Sequence, residues 1–180
     1  MNRNKKIVLS GLFTAIGIIL PLLFHHFGRG AGTVFLPLHI SAILAGLVLG
    51  LLEGVSVAVL SVTLSFLITG MPPAAIMPFI MAEVMLYGLF AGIFKNLCRK
   101  GRMWRYIALI ATQICGRIFY AIVLFISFNW LGIAAVPKVI GVVTGLATSF
   151  VGVITQIVII PLIVGECLKN DTASQGIIEK

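Results

Sequence analysis

Long apolar segments recur along the whole chain, and each is bounded by a short polar, glycine-rich or proline-rich stretch. A helix of about 20 apolar residues is long enough to cross the hydrocarbon core of a bilayer. The pattern predicts an all-α integral membrane protein with six transmembrane helices. Their predicted bounds are Ile7–Phe24, Leu38–Leu52, Gly54–Thr69, Ala74–Phe94, Tyr106–Trp130 and Lys138–Gly165.

The second and third predicted helices, joined at Glu53-Gly54, are short. With about 15 or 16 residues each they would be about 23 Å long, less than the hydrocarbon thickness of about 30 Å. A single helix from Leu38 to Thr69 would instead be about 48 Å long and would carry a charge near its middle. Length alone therefore leaves both five and six membrane crossings open.

The distribution of positive charge favours six crossings, because cytoplasmic loops of membrane proteins are enriched in Lys and Arg. With six helices and a cytoplasmic N-terminus, only Arg29 and Lys138 face outside. With the same cytoplasmic N-terminus, five crossings would place the five cations of the basic loop Lys95–Arg105 outside. We therefore predict one domain spanning residues 1–180, with a cytoplasmic N-terminus (1–6), a basic cytoplasmic loop (Lys95–Arg105) and a cytoplasmic tail (169–180). The cations predicted to be cytoplasmic are Arg3, Lys5, Lys6, Lys95, Arg99, Lys100, Arg102, Arg105, Lys169 and Lys180.

Composition supports the membrane assignment. Hydrophobic residues make up 60% of the chain and charged residues 10%, whereas soluble domains average about 45–50% and about 25%. These values exclude a soluble enzyme, a disordered tail and a nucleic-acid binder. The basic N-terminus resembles a signal peptide, but the apolar run continues to Phe24 without a small-x-small cleavage site, which indicates a first membrane helix.

Motifs for catalysis, phosphate binding and metal binding are absent from the sequence. There is no G-x-S-x-G, H-E-x-x-H or C-x-x-C pattern. Gly28–Gly32 lacks a preceding strand and a Walker lysine, so we interpret the surrounding His25–Val34 segment as a connector or as a mobile loop over an outward-facing pocket. The pair His25-His26 has no further candidate ligands nearby. We therefore expect no catalytic residue, no metal site and no enzymatic activity.

Two ionisable residues are predicted to lie within the membrane, Glu83 and Arg117. An ionisable group near the bilayer centre costs at least about 2.5–3.5 kcal/mol, so such residues usually have a function or a partner. Glu83 is predicted about 14 Å, and Arg117 about 19 Å, below the outer helix ends. They either form a structural ion pair between neighbouring helices or line a polar ligand pocket, and the two roles are compatible.

Other polar residues are predicted to surround this pair. Gln113 lies one helical turn before Arg117, on the same face. Tyr87 follows Glu83 by four residues, and Tyr120 follows Arg117 by three. His39 begins the second helix, Asn129 ends the fifth, and Thr148, Gly152 and Gln156 form a stripe on the sixth. Each residue alone is weak evidence for a ligand site, since polar residues often join membrane helices. Together they favour a ligand site in the outer half of the membrane.

Several segments resemble the substrate-binding (S) components of energy-coupling factor (ECF) vitamin transporters. The resemblance covers most of the chain and rests on size, on the six helices and on a combination of short motifs. These motifs are Phe35–Ile40, Leu44–Gly50, Thr69–Pro73, Met81–Gly88 and Gly116–Ile118.

The resemblance implies a subunit in the bacterial plasma membrane that binds a vitamin or related micronutrient from outside. Such a subunit associates with a transmembrane coupling subunit and two ATPases, which use the ATP, so no cofactor is expected on this chain. The family contacts the coupling subunit through Ala-x-x-x-Ala on the first helix, which Gly11–Ala15 matches with Gly in the first position. The outer loops that help to close the site correspond to His25–Val34, Gly70–Pro73 and Leu131–Pro137.

The identity of the ligand is only partly indicated by the residues. Arg117 favours a carboxylate, which a guanidinium binds with two parallel hydrogen bonds. Glu83 would accept a hydrogen bond from the ligand or hold Arg117 in place. Niacin and pantothenate both fit this expectation. The alternatives are a self-contained proton-coupled transporter with Glu83 as the proton carrier, and a small intramembrane enzyme or assembly protein.

Overall fold

A computed structural model of the protein describes residues 2–26, 36–129 and 149–178. These residues form six α-helices and no strand, which confirms the predicted all-α fold class. The helices are α1 (Arg3–His26), α2 (Pro37–Leu49), α3 (Leu51–Thr69), α4 (Met77–Cys98), α5 (Arg102–Asn129) and α6 (Phe150–Ile178).

Five of these helices are long and apolar enough to cross a membrane, and α2, with 13 residues, is shorter. The second predicted helix is therefore short, as expected. The prediction of an equally short third helix is wrong, because α3 has 19 residues. It begins three residues earlier than predicted and includes Glu53 in its first turn, where a carboxylate interacts favourably with the positive end of the helix dipole.

The chain reverses between α2 and α3 at a single residue, Gly50, and not at Glu53-Gly54 as predicted. Gly50 has φ = 129°, a conformation that residues with a side chain rarely adopt. The reversal is tight: a Cβ atom on Gly54 would lie 2.8 Å from Cα of Gly46. The choice of two helices over one is thus confirmed, with a different break point.

The predicted bounds of the fourth and fifth helices also shift. Residues 74–76 form a turn, and α4 begins at Met77, three residues after the predicted start, because Pro72 and Pro73 precede this turn and Pro78 suits the first helical turn. The basic loop is much shorter than Lys95–Arg105, because α4 continues to Cys98 and α5 already begins at Arg102.

The first helix extends beyond both of its predicted bounds, and the last extends beyond its predicted end. The predicted start of the last helix, Lys138, lies outside the described residues. Helix α1 runs from Arg3 to His26, so the predicted loop starting at His25 begins too early. Helix α6 continues beyond Gly165 through most of the predicted polar tail to Ile178, where the sequence contains no proline to end it. Trp130, Thr148, the motif residue Phe35, the glycine-rich stretch from Gly28 to Gly32 and the loop Leu131–Pro137 lie outside the described residues.

Glycines allow α2, α3 and α4 to pack at backbone distance. A Cβ atom on Gly46 or on Gly54 would lie 2.5 Å from the carbonyl oxygen of Gly88, and one on Gly92 would overlap the backbone of Leu51. The Gly88-x-x-x-Gly92 motif therefore lies in internal packing. Helix α4 packs against α2, α3 and α5, and α1 packs against α2 and α3. Most of the buried apolar core lies among these helices.

Charged contacts join helix ends at one end of the bundle. Lys6 of α1 contacts Glu53 of α3 at 2.5 Å, and Lys5 of α1 contacts Asp171 of α6 at 3.1 Å. The Lys95 ammonium donates a hydrogen bond to the carbonyl oxygen of Leu49 at 2.6 Å. The N-terminus, the α2–α3 reversal, the end of α4 and the later part of α6 thus lie together, as six crossings require and as the charge pattern predicts for a cytoplasmic end.

Candidate ligand-binding site

The opposite end of the bundle brings together polar residues from four helices. His39 lies in the first turn of α2, Glu83 lies less than two turns into α4, and Ser149 immediately precedes α6. Arg117 comes from the middle of α5. From the start of α4, Glu83 is about 9 Å deep, which is shallower than predicted because α4 begins later.

An ion pair forms the centre of this site. Arg117 Nη1 lies 3.2 Å from Glu83 Oε1 and donates a hydrogen bond to it. Arg117 Nη2 donates to the hydroxyl of Ser149 at 3.1 Å. Glu83 is 8% exposed, so the pair is largely removed from solvent. The predicted proximity of Glu83 and Arg117 is correct, and the arginine connects α4, α5 and the start of α6.

His39 and Tyr87 complete the inner wall around the carboxylate. His39 Nε2 lies 3.5 Å from Glu83 Oε1, which is longer than an ordinary hydrogen bond. The His39 and Tyr87 rings meet edge to face, with centroids 4.8 Å apart and an interplanar angle of 79°. Gly116 makes room for Tyr87, since a Cβ atom there would lie 2.9 Å from the Tyr87 ring.

Several buried polar atoms here have no hydrogen-bond partner among the residues that the structure describes. They are both ring nitrogens of His39, the hydroxyl of Tyr87, Nε of Arg117 and the amide nitrogen of Gln156. Leaving a buried donor or acceptor unsatisfied costs about 1–3 kcal/mol. These atoms lie around one ion pair, and they can donate hydrogen bonds to a polar ligand or accept them from it.

Gln113 extends the site one helical turn towards the start of α5. Its side-chain amide donates to Oε1 of Gln156 on α6 at 2.5 Å, and Gln156 is almost fully buried. Sequence reasoning included Gln113 among the candidate residues but placed Gln156 only in a weaker stripe. Ser149 was missed, and its neighbour Thr148, which the same stripe included, was the nearest signal.

The remaining candidate residues lie at the outer margin. Tyr120 is buried against Phe79 and Leu124 in a small apolar cluster. The exposed Asn129 amide donates to the carbonyl oxygen of Phe125 in its own helix at 2.9 Å. The structure thus brings His39, Glu83, Tyr87 and Arg117 together. Tyr120 lies near enough to interact electrostatically with Glu83 and Arg117, whereas the described hydrogen bond of Asn129 stays within its own helix.

Comparison with known proteins identifies the family of the chain. The sequence model of the family described as ECF transporter, substrate-specific component, matches residues 5–164. The chain belongs to this family of ECF substrate-specific components. Neither a curated protein nor a solved structure shows a significant match to the chain.

Membership of the ECF family confirms the resemblance and identifies the chain as a transport protein of the membrane. In this family, Gly11 and Ala15 on α1 are the residues predicted to contact a partner subunit. Gly11 is exposed, and a Cβ atom there would meet nothing within 4 Å. Ala15 is half-buried. This ECF substrate-specific component therefore has open space beside the first position of the motif.

No cluster of three potential metal ligands occurs among the described residues of this ECF component. The cysteines Cys98, Cys115 and Cys167 are free thiols. The chemistry that the site offers is therefore hydrogen bonding and charge: one guanidinium, one carboxylate, an imidazole, a phenol and two amides.

Proposed function

We propose that the protein is the subunit of an ECF-type importer that binds a small carboxylate vitamin or cofactor precursor from outside, with niacin and pantothenate as the best candidates. The observation that carries this proposal is the buried Glu83–Arg117 pair with unsatisfied polar atoms around it. A ligand carboxylate would take hydrogen bonds from Arg117, and Glu83 would accept one from a ligand hydroxyl, amide or ring N–H.

Binding by exchange of partners explains why a costly buried pair is useful here. Breaking a buried ion pair by removing one partner is strongly destabilising, but a ligand carboxylate replaces the charge that Arg117 loses. Nε of Arg117 has no hydrogen-bond partner among the described residues, so the guanidinium has a donor available. A neutral ligand could not compensate Arg117 in this way.

The test compares a carboxylate ligand with its amide in the wild type and in Arg117→Ala. A hydrogen bond to a charged group contributes about 1.5–3 kcal/mol, so Arg117→Ala should weaken binding of the acid at least about tenfold. Arg117→Lys should restore only part of the affinity, because an ammonium lacks the planar fork. The amide should bind the wild type poorly and lose little more in Arg117→Ala.

A purely structural ion pair gives a different result. Arg117→Ala would then lower the melting temperature, and the acid and the amide would lose affinity equally. Titration of nicotinate, pantothenate and their amides into both purified proteins, with a melting curve for each, distinguishes the two roles. Equal losses for acid and amide would refute the carboxylate assignment.

We further propose that uptake requires an ECF transmembrane coupling subunit and two ATPases, docked at α1 through Gly11 and Ala15. Gly11→Trp should leave ligand binding by the purified subunit unchanged, because space is open beside Gly11, and should abolish ATP-driven uptake. Ile114→Trp is a matched control on the exposed face of α5 and should retain both. Loss of binding in Gly11→Trp would place this residue in internal packing, and uptake without ATPases would favour a self-contained transporter.

A further inference from the structure

A second polar site lies at the cytoplasmic end, far from the Glu83–Arg117 pair. A cavity of about 350 Å³ opens between the first turn of α5 and the part of α6 around Gly165. Its lining includes the cationic side chains of Arg102, Arg105 and Lys169 and one carboxylate, Glu166. The three cations outnumber the single carboxylate, so the cavity suits an anion.

The helix that supplies two of these cations reinforces the positive potential. Helix α5 begins at Arg102, so the positive end of its dipole and its first backbone N–H groups lie at the cavity. Helix N-termini bind phosphate and other anions for this reason. The cavity therefore combines side-chain charge with backbone donors.

Gly165 on α6 leaves room for the guanidinium of Arg105 in the cavity. A Cβ atom on Gly165 would overlap Nη1 of Arg105, so the guanidinium occupies space that any other residue would fill. Arg105 Nε also donates a long hydrogen bond, 3.5 Å, to the carbonyl oxygen of Cys98. The arginine is thus half-buried between α4, α5 and α6 and does not extend freely into solvent.

The edge of the cavity is apolar and faces outward from the bundle. Leu162 lines the cavity and is 61% exposed. Met103, Ile107 and Ile163 on the same two helices are also exposed. A membrane protein exposes such residues to acyl chains. A negatively charged group in the cavity would therefore lie next to an exposed apolar surface that faces the acyl chains.

We propose that this cavity binds the phosphate group of an anionic phospholipid in the cytoplasmic leaflet, with its acyl chains along the exposed faces of α5 and α6. A free phosphate ion shares the headgroup chemistry, but the apolar edge at Leu162 favours a lipid. Basic pockets between transmembrane helices on the cytoplasmic side bind anionic headgroups in this manner. The site goes beyond the vitamin-binding site and is independent of the carboxylate ligand proposed there.

The experiment uses Trp104, which is exposed beside Arg105, as the reporter. The chain has two tryptophans, so Trp130→Phe leaves Trp104 as the only one. The protein is reconstituted in phosphatidylcholine vesicles that contain increasing amounts of brominated phosphatidylglycerol or brominated phosphatidylcholine. Quenching of Trp104 gives the preference for the anionic lipid. At about 1 M potassium chloride the Debye length is about 3 Å, so diffuse attraction to the basic surface is suppressed.

We expect the parent protein to prefer phosphatidylglycerol at this salt concentration. Arg105→Gln should lower the preference about tenfold or more, as expected for loss of a charge-assisted hydrogen bond. Gly165→Ala should lower the preference for phosphatidylglycerol without any change of charge, because the new methyl group displaces the guanidinium of Arg105. Arg99→Gln, which removes one charge from the neighbouring loop outside the cavity lining, should leave the preference near the parent value.

Three results would overturn the proposal. No preference for phosphatidylglycerol in the parent protein would exclude an anionic lipid site. Equal losses in Arg105→Gln and Arg99→Gln, with no loss in Gly165→Ala, would mean that only the general surface charge matters. Abolition of the preference by millimolar inorganic phosphate at constant ionic strength would identify a site for a free anion.

Discussion

At the scale of single residues, Tyr87 is the most informative side chain of the candidate site. It is fully buried, yet its hydroxyl has no hydrogen-bond partner among the described residues. A buried hydroxyl that is left unsatisfied in the empty protein destabilises it. The unsatisfied Tyr87 hydroxyl is explained if it forms a hydrogen bond with a ligand. Its cost to the stability of the empty protein is then recovered as binding free energy.

This explanation predicts a separation of stability from affinity in Tyr87→Phe. Removal of an unsatisfied hydroxyl should leave the melting temperature of the empty protein unchanged or slightly raised. Ligand affinity should fall about two- to tenfold, the effect of one neutral hydrogen bond. Melting curves and ligand titrations measure both quantities.

Tyr106→Phe provides the control, because Tyr106 lines the cytoplasmic cavity and not the ligand site. It should change neither the affinity for the vitamin nor the acid-to-amide preference. If Tyr87→Phe lowered the melting temperature and left affinity intact, the hydroxyl would have a structural role and no contact with the ligand.

The sequence predicted part of this site for a clear physical reason. An ionisable residue in a membrane helix needs a partner, so Glu83 and Arg117 could be paired by depth alone. Ser149 could not be found in this way, because a serine is tolerated almost anywhere in a membrane helix. Its role depends on how the start of α6 lies against α5, which no local pattern in the sequence specifies.

At the scale of helices, close packing depends on a few glycines whose sequence motifs look alike. Gly11-x-x-x-Ala15 and Gly88-x-x-x-Gly92 are both small-xxx-small motifs. Their surroundings differ: a Cβ atom on Gly88 would lie 2.5 Å from the carbonyl oxygen of Gly54, whereas one on Gly11 would meet nothing within 4 Å. The same substitution at the two glycines should therefore have opposite effects.

We predict that Gly88→Ala destabilises the isolated protein and that Gly11→Ala does not. The methyl group at Gly88 would press against backbone atoms that cannot rotate away, and such overpacking typically costs about 1–3 kcal/mol. At Gly11 the better helix propensity of Ala should leave stability unchanged or raise it by up to about 1 kcal/mol. Melting temperatures in one detergent compare the two variants directly. Equal destabilisation would contradict the open surface at Gly11.

Helix bounds were the least predictable feature at this scale. The hydrophobic pattern located all six helices, but a helix can continue past its apolar segment when charged residues find partners. Lys5 and Asp171 pair across α1 and α6 beyond the predicted apolar spans. Conversely, the reversal at Gly50 lies inside an apolar run, so hydropathy alone could not indicate it. These differences move most helix ends by a few residues, and the end of α6 from Gly165 to Ile178, but leave the order of helices intact.

At the scale of the whole molecule, the two ends of the bundle differ in their charged groups. The end that is predicted to be cytoplasmic has the pairs Lys6–Glu53 and Lys5–Asp171 and the cationic cavity between α5 and α6. The other end has the buried Glu83–Arg117 pair. Both the proposed vitamin site and the proposed lipid site therefore depend on one orientation in the membrane, since each must face the side from which its ligand comes.

The orientation is tested by labelling single cysteines in a variant without Cys98, Cys115 and Cys167. Ala75 lies exposed in the turn before α4, and Lys100 lies exposed in the short loop between α4 and α5. We expect a membrane-impermeant maleimide to label Ala75→Cys in intact cells and to label Lys100→Cys only after permeabilisation, because the excess of Lys and Arg retains its end of the bundle inside. Labelling of both positions in denatured protein controls for thiol reactivity. The reverse pattern would invert the molecule, direct the candidate vitamin site towards the cytoplasm and place the cationic cavity in the outer leaflet.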